Sequence, residues 1–237
     1  MTSLVQPANH GDVCTVGSLY LRNPTMEYSQ AFDLAVLGWD LAAGPALAVA
    51  SSPVHAVEWL KRWPGALHLA GSGDFDAADF VSQARGWAWG PLEAVTLEPT
   101  GCRYNDIAWA EPETRTAATL AAALRRLARP GARLSVIASS RLRRHLPAWQ
   151  TAPLPARQPL EPGVLGQVLR ATGWQPHHST AFHGPRSILW TRLAQLAERL
   201  GRPDWGDRCL FAMRASYKEP GWLWPLAPVA LTLARAA

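Results

Sequence analysis

The chain has 237 residues, 48% of them hydrophobic and 17% charged, with a formal net charge of +5 and a pI near 9.6. That length suits one large domain, or one domain with an appended piece, and the apolar fraction is ordinary for a soluble globular protein. The basic charges are spread along the chain rather than gathered in one run, so a solvated surface competes with a nucleic-acid role. Cys14, Cys102 and Cys209 are far apart with no CxxC spacing. That argues against a disulfide framework or a structural zinc site and fits a reducing, cytoplasmic setting. No signal peptide is expected at the N-terminus. The most apolar tail, Trp222 to Ala234, is short and broken by Pro225 and Pro228, so no membrane span is expected. Tryptophan is frequent, with 12 residues, which suits an aromatic core or an aromatic interaction surface.

Residues Met1 to Thr25 read as an N-terminal arm, and 26–237 as a single α/β domain. Thr25 can cap a helix from Met26 ended by Gly44, with Phe32, Leu34, Ala35, Leu37 and Leu41 on its apolar face. A second parse makes Leu34 to Leu37 a strand. Strands and helices then alternate. Leu47 to Ala50 is a buried strand, Ser51-Ser52-Pro53 a cap, and Val54 to Trp63 an amphipathic helix. Ala66 to Ala70 is a strand, Gly71 to Asp74 a loop, Asp76 to Arg85 a helix and Glu93 to Leu97 a strand. Thr100 to Ala110 reads as a long polar loop.

Glu113 to Ser140 organises the rest. Leu120, Ala123, Leu124 and Leu127 share one helical face. Pro130-Gly131 stops the helix, and Leu134 to Ala138 has the composition of a strand covered on both faces. Arg141 to Pro162 is a Pro- and Arg-rich connection and a candidate lid. Gly163 to Ala171 is a helix, Trp174 to Phe182 is extended, and Ile188 to Leu200 is amphipathic with Leu189, Leu193, Leu196 and Leu200 on one face. Arg208 to Ser216 and Leu226 to Ala234 read as a closing antiparallel strand pair. Alternating strands and helices predict a doubly wound, mostly parallel sheet that binds ligands at the carboxyl ends of its strands.

The segment LAAALRRLARPGARLSVIAS, with its turn Leu127 to Leu134, resembles the helix, turn and fifth strand of class I S-adenosylmethionine-dependent methyltransferases. Gly163 to Pro176, GVLGQVLRATGWQP, is similar to the helix that leads into that fold's sixth strand. The resemblance implies S-adenosylmethionine as cofactor and methyl transfer to an acceptor, or a methyltransferase-like pseudoenzyme that binds a protein or RNA partner. That family holds its cofactor on a glycine-rich loop after the first strand. Here the first strand runs into Ala50-Ser51-Ser52-Pro53, where there is no glycine to allow close backbone approach.

By position, the cofactor candidates are Ser51, Ser52, Gly71, Asp74, Asp76 and Glu98. Ser51 and Ser52 suit an anion at a helix N-terminus, or a plain cap. Asp74 and Asp76 suit ribose hydroxyls, though Asp74 also suits a cap. Glu98 is a candidate acid or base, or a loop carboxylate before Pro99. His183, within the group His177, His178 and His183, is a second candidate base, or an exposed histidine; no metal-ligand spacing is present. Arg141, Arg143 and Arg144 suit a phosphate of substrate or nucleic acid, or a solvated helix start.

Overall fold

The computed structural model describes residues 26–98, 103–139, 160, 162–182, 184–215, 218–220 and 229–237. The strands are β1 Ala46–Ala50, β2 Leu67–Gly71, β3 Leu92–Ala94, β4 Tyr104–Ala110, β5 Ala128–Ser139, β6 Trp174–Phe182, β7 Lys218–Pro220 and β8 Val229–Ala236. They form one eight-stranded sheet in the order β3-β2-β1-β4-β5-β8-β6-β7. Strands β1 to β5 pair in parallel, while β8 runs antiparallel between β5 and β6, and β7 is antiparallel to β6. The strand order reverses between β1 and β4, the switch point at which open α/β sheets leave a crevice.

The helices are α1 Met26–Val36, α2 Pro53–Arg62, α3 Ala77–Ala84, α4 Ala117–Leu127, α5 Pro162–Ala171, α6 Pro185–Arg199 and α7 Pro203–Ala215. Both faces of the sheet are covered, so β1 is buried at every residue. One core gathers Phe32, Trp59, Leu60, Leu69 and Phe80 beneath α1 to α3. The other gathers Leu47, Ile107, Trp109, Leu124, Leu134 and Leu169 beneath α4 and α5. Part of the tryptophan content is explained here. Trp59 lies 4.2 Å from the Phe32 ring centroid and 6.3 Å from Trp39, and Trp39 meets Trp63 edge-on at 5.0 Å. Trp89 and Trp205, by contrast, are well exposed.

Polar ties fix α1 and the base of the sheet. Arg62 donates to Asp33 at 2.6 Å, to the buried carboxylate of Glu58 at 2.5 Å and to Ser29 Oγ at 2.8 Å, joining α1 to α2. Arg133 on β5 donates to buried Asp106 on β4 at 2.7 Å and to the Gly38 carbonyl. At the start of β6, Trp174 Nε1 donates to the Ala121 carbonyl at 3.0 Å.

The structure decides several open points and corrects others. The segment before Gly38 is a helix, ending at Val36, and β1 is Ala46–Ala50; Leu37 and Leu41 are exposed rather than inward. The expected polar loop Thr100 to Ala110 contains the strand β4, whose last five residues are fully or nearly buried. The third strand is only Leu92–Ala94. Arg208 to Ser216 is not a strand: α7 covers Pro203–Ala215, and the antiparallel neighbours of β8 are β5 and β6. Helix α4 stops at Leu127, and Pro130-Gly131 sits inside a bulged start of β5, with Gly131 at φ 74°. The connection 141–159 lies outside the described residues. No helix among the described residues is long and apolar enough to cross a membrane.

Candidate functional site

The carboxyl tips of β1, β2, β4 and β5 meet at the switch point. At the tip of β1, Ser52 caps α2 and Pro53 takes its first position. The cap bond from His55 N to Ser52 Oγ is long, 3.5 Å. Both serine hydroxyls instead face the same ring atom: His55 Nδ1 lies 3.2 Å from Ser51 Oγ and 3.1 Å from Ser52 Oγ. His55 is 3% exposed and lies stacked 6.3 Å from Phe32. Where the resemblance in sequence implies a glycine turn, this chain has two serines whose hydroxyls meet a buried histidine.

At the tip of β2 the chain turns tightly through Gly71-Ser72-Gly73-Asp74. Gly71 has no alternative, because a Cβ there would lie 2.1 Å from the Phe75 carbonyl oxygen. Ser72 N donates to the Ala50 carbonyl at 2.9 Å, which locks this turn onto β1. Gly73 sits at φ 65°, and a Cβ placed there would be 3.6 Å from Glu113 Oε1. The loop after β4 therefore comes up beside the loop after β2. Asp74 is exposed at this turn. Asp76 uses its carboxylate to cap α3, accepting from Ala78 N at 2.8 Å and Asp79 N at 3.1 Å.

The residue sequence reasoning missed is Glu111, immediately after β4. It is 2% exposed and has φ 55°. A non-glycine residue in that region carries backbone strain, and the following Pro112 disfavours the right-handed helical alternative. Its carboxylate accepts Ser139 Oγ at 2.5 Å and Ser139 N at 3.2 Å. Its own N–H donates to the Ile137 carbonyl at 2.7 Å. A buried, strained carboxylate thus joins the tips of β4 and β5, the kind of feature that concentrates at functional sites. The sequence signal available for it is an apolar run, Ile107 to Ala110, ended by Glu-Pro.

The structure brings Ser51, Ser52, Gly71 and Asp74 together on adjacent tips. Glu98 is exposed and follows the edge strand β3, which β2 separates from β1. His177 and His178 are exposed on β6, where His178 Nε2 is 2.7 Å from Thr180 Oγ1. His183, Arg141, Arg143 and Arg144 lie outside the described residues. Among the described residues no group of three or more His, Cys, Asp and Glu is placed to hold a metal ion.

A second polar cluster stands at the opposite, amino end of the strands. His68 Nδ1 is 2.8 Å from the Tyr104 hydroxyl, and Nε2 is 3.6 Å from Glu93. Burial lowers the His68 pKa, and the Glu93 carboxylate opposes this only in part. Desolvation thus disfavours protonation of this ring.

At this rim Asp74 is exposed and Glu113 half-buried, so two carboxylates stand where a ligand bearing hydroxyls or an ammonium would need acceptors, while Glu111, Ser139 and Ser72 are buried and bonded within the protein. The serine turn after β1 is the one element built differently.

No protein-family profile matches the sequence, and no curated protein matches it. Solved structures do. The chain is similar to the glycopeptide N-methyltransferase MtfA complexed with sinefungin, with TM-score 0.53 and 11% identity over 92% of this chain and 88% of that one. It is similar to a second structure of the glycopeptide N-methyltransferase MtfA, with TM-score 0.53 and 11% identity over 90% of this chain and 97% of that one. It is also similar to a geranyl diphosphate methyltransferase in complex with geranyl diphosphate and sinefungin, with TM-score 0.50 and 13% identity over 97% and 85% of the two chains. Sheet order, the helices on both faces and these superpositions together show that the chain has the class I methyltransferase fold.

Proposed function

We propose that this rim binds S-adenosylmethionine and that the protein transfers its methyl group to an acceptor presented over the tips of β4 and β5. The observation that carries the reading is the junction of Glu111 and Ser139: a fixed, buried carboxylate at the tips of β4 and β5, on one side of the switch point. The bound donor supplies an electrophilic methyl carbon, so the protein's task is alignment more than proton chemistry. Asp74, exposed at the β2 turn, accepts from the ribose hydroxyls. Gly71 and Gly73 let the β2 turn lie close to the ligand, and Ser51 and Ser52 border it from β1. Glu98 contacts the ligand from the β3 side. Glu111, held by two bonds from Ser139, keeps negative charge at a fixed place beside a cationic ligand. Two neighbours of known structure were solved with sinefungin, which supports a nucleoside site on this fold.

One observation favours a second reading, a methyltransferase-like protein that acts by binding a partner. Ser51 and Ser52 carry side chains where close backbone approach is needed, and His55 draws both inward. Calorimetric titration with S-adenosylhomocysteine separates the two. Saturable binding that weakens at least tenfold in Asp74→Ala supports the first reading. An absence of heat at millimolar ligand, in a protein that melts cooperatively, supports the second. If the serine turn held by His55 is what limits the site, the double variant Ser52→Gly/His55→Ala binds more tightly than the natural chain.

A further inference from the structure

Helices α6 and α7 form a hairpin inserted between β6 and β7. Helix α6 leaves directly after β6, and α7 returns to β7, where Lys218 pairs with Phe182 at the end of β6. The two helices pack on each other far more than on the rest of the molecule. Gly206 faces α6 at contact distance: a Cβ on it would stand 3.9 Å from the Ala194 carbonyl oxygen and 3.8 Å from Glu198 Cγ. Among the described side chains of α6, the buried ones are Thr191, Ala194 and Ala197. Its leucine stripe turns outward instead, with Leu189 at 56% exposure, Leu193 at 37%, Leu196 at 50% and Leu200 at 61%.

Between the helices lies a pocket of about 350 Å³, lined by Trp190, Leu193 and Leu196 from α6 and by Trp205, Arg208 and Cys209 from α7. Its size falls in the range of small-molecule sites, roughly 300–1,000 Å³. The walls are aliphatic and aromatic, and among the described residues Arg208 is the one charged residue on them and no carboxylate lines the pocket. An apolar patch of this kind left facing water marks a binding surface.

We propose that this pocket binds an amphipathic monoanion, an aliphatic chain ending in a carboxylate. The chain removes the leucines and tryptophans from water. The carboxylate meets Arg208, whose planar guanidinium takes a carboxylate through two parallel bonds. One guanidinium balances one negative charge, whereas a phosphate monoester would bring an unmatched second charge into an apolar pocket. The proposal does not depend on cofactor binding at the rim.

The test is calorimetry with decanoate below its micelle-forming concentration, with decanol as the uncharged probe of equal chain length. The expected result is saturable binding of decanoate, weakened about tenfold or more by Arg208→Gln, while decanol binding is unchanged by that substitution. Leu196→Gln weakens both probes, and since Leu196 and Arg208 are both exposed, each variant should keep the melting temperature of the natural chain. No saturable decanoate binding, or binding indifferent to Arg208→Gln, overturns the proposal. So does a two-copy mass by light scattering that Leu196→Gln returns to one copy, because a second chain then occupies the face.

Discussion

Substitutions at Glu111 separate two physical effects that coincide there. Glu111→Ala removes both acceptors of Ser139, a residue only 1% exposed, and leaves its N–H and hydroxyl without these partners. Bonds to a charged group are worth about 1.5–3 kcal/mol each and the two act together, so a loss of about 2–4 kcal/mol is expected. For a chain of this size that lowers the melting temperature by about 4–16 °C. Glu111→Gly loses the same bonds but relieves the φ of 55°. At most sites Gly is less stable than Ala by about 0.5–1 kcal/mol. Here the order is reversed, with Gly the more stable by about 1 kcal/mol, because an L-residue pays for a left-handed backbone that Gly adopts freely. Urea unfolding of the two variants, compared at equal m-value, measures the difference. An alanine variant as stable as the glycine variant, or more so, would refute the assignment of strain. A double-mutant cycle with Ser139→Ala giving no coupling would refute the assignment of the bonds.

Other expectations concern the base of the sheet. Because burial lowers the His68 pKa, the unfolded chain takes up a proton more readily than the folded one. The stability is therefore complete above the ordinary histidine pKa of about 6.5 and falls as the pH drops below it. Melting curves between about pH 7.5 and 5 should show this fall, and His68→Gln should flatten part of it; an unchanged slope would contradict the linkage. Arg133→Ala leaves Asp106, with a side chain 3% exposed, without its cation. A fully buried pair broken in this way loses about 3–5 kcal/mol. Arg133 is 36% exposed and water can reach the site, so about 1–3 kcal/mol is expected by urea unfolding. A loss under about 0.5 kcal/mol would show that the contact is a solvated one.

Local chemistry made much of this architecture readable. Ser52-Pro53 marks the start of α2, Gly71 the end of β2, and the face of Leu124 and Leu127 the burial of α4. Strand β4 escaped because its polarity is answered from far away. Asp106 is neutralised by Arg133, 27 residues on, and Asn105 Nδ2 lies 3.4 Å from the Ala43 carbonyl, 62 residues back. A local window sees those residues as a loop. Helix α7 escaped for a related reason: its apolar residues, Leu210 and Phe211 among them, alternate little with polar ones, and Gly206 packs against α6, far from its neighbours in sequence. Glu111 was out of reach because a left-handed φ on a glutamate follows from how two strands end together, not from its neighbours in sequence. The outward turn of the α6 leucines likewise depends on which face small residues such as Ala194 and Ala197 claim for close packing.

Hydrogen exchange with and without S-adenosylhomocysteine tests the central claim most directly, because it reports where a ligand sits. The account predicts slower exchange at Ala50 to His55, Gly71 to Phe75 and Glu111 to Glu113, with the base around His68 and Arg133 unaffected. Protection confined to the α6–α7 hairpin or to the base, or none at all at saturating ligand, would contradict it.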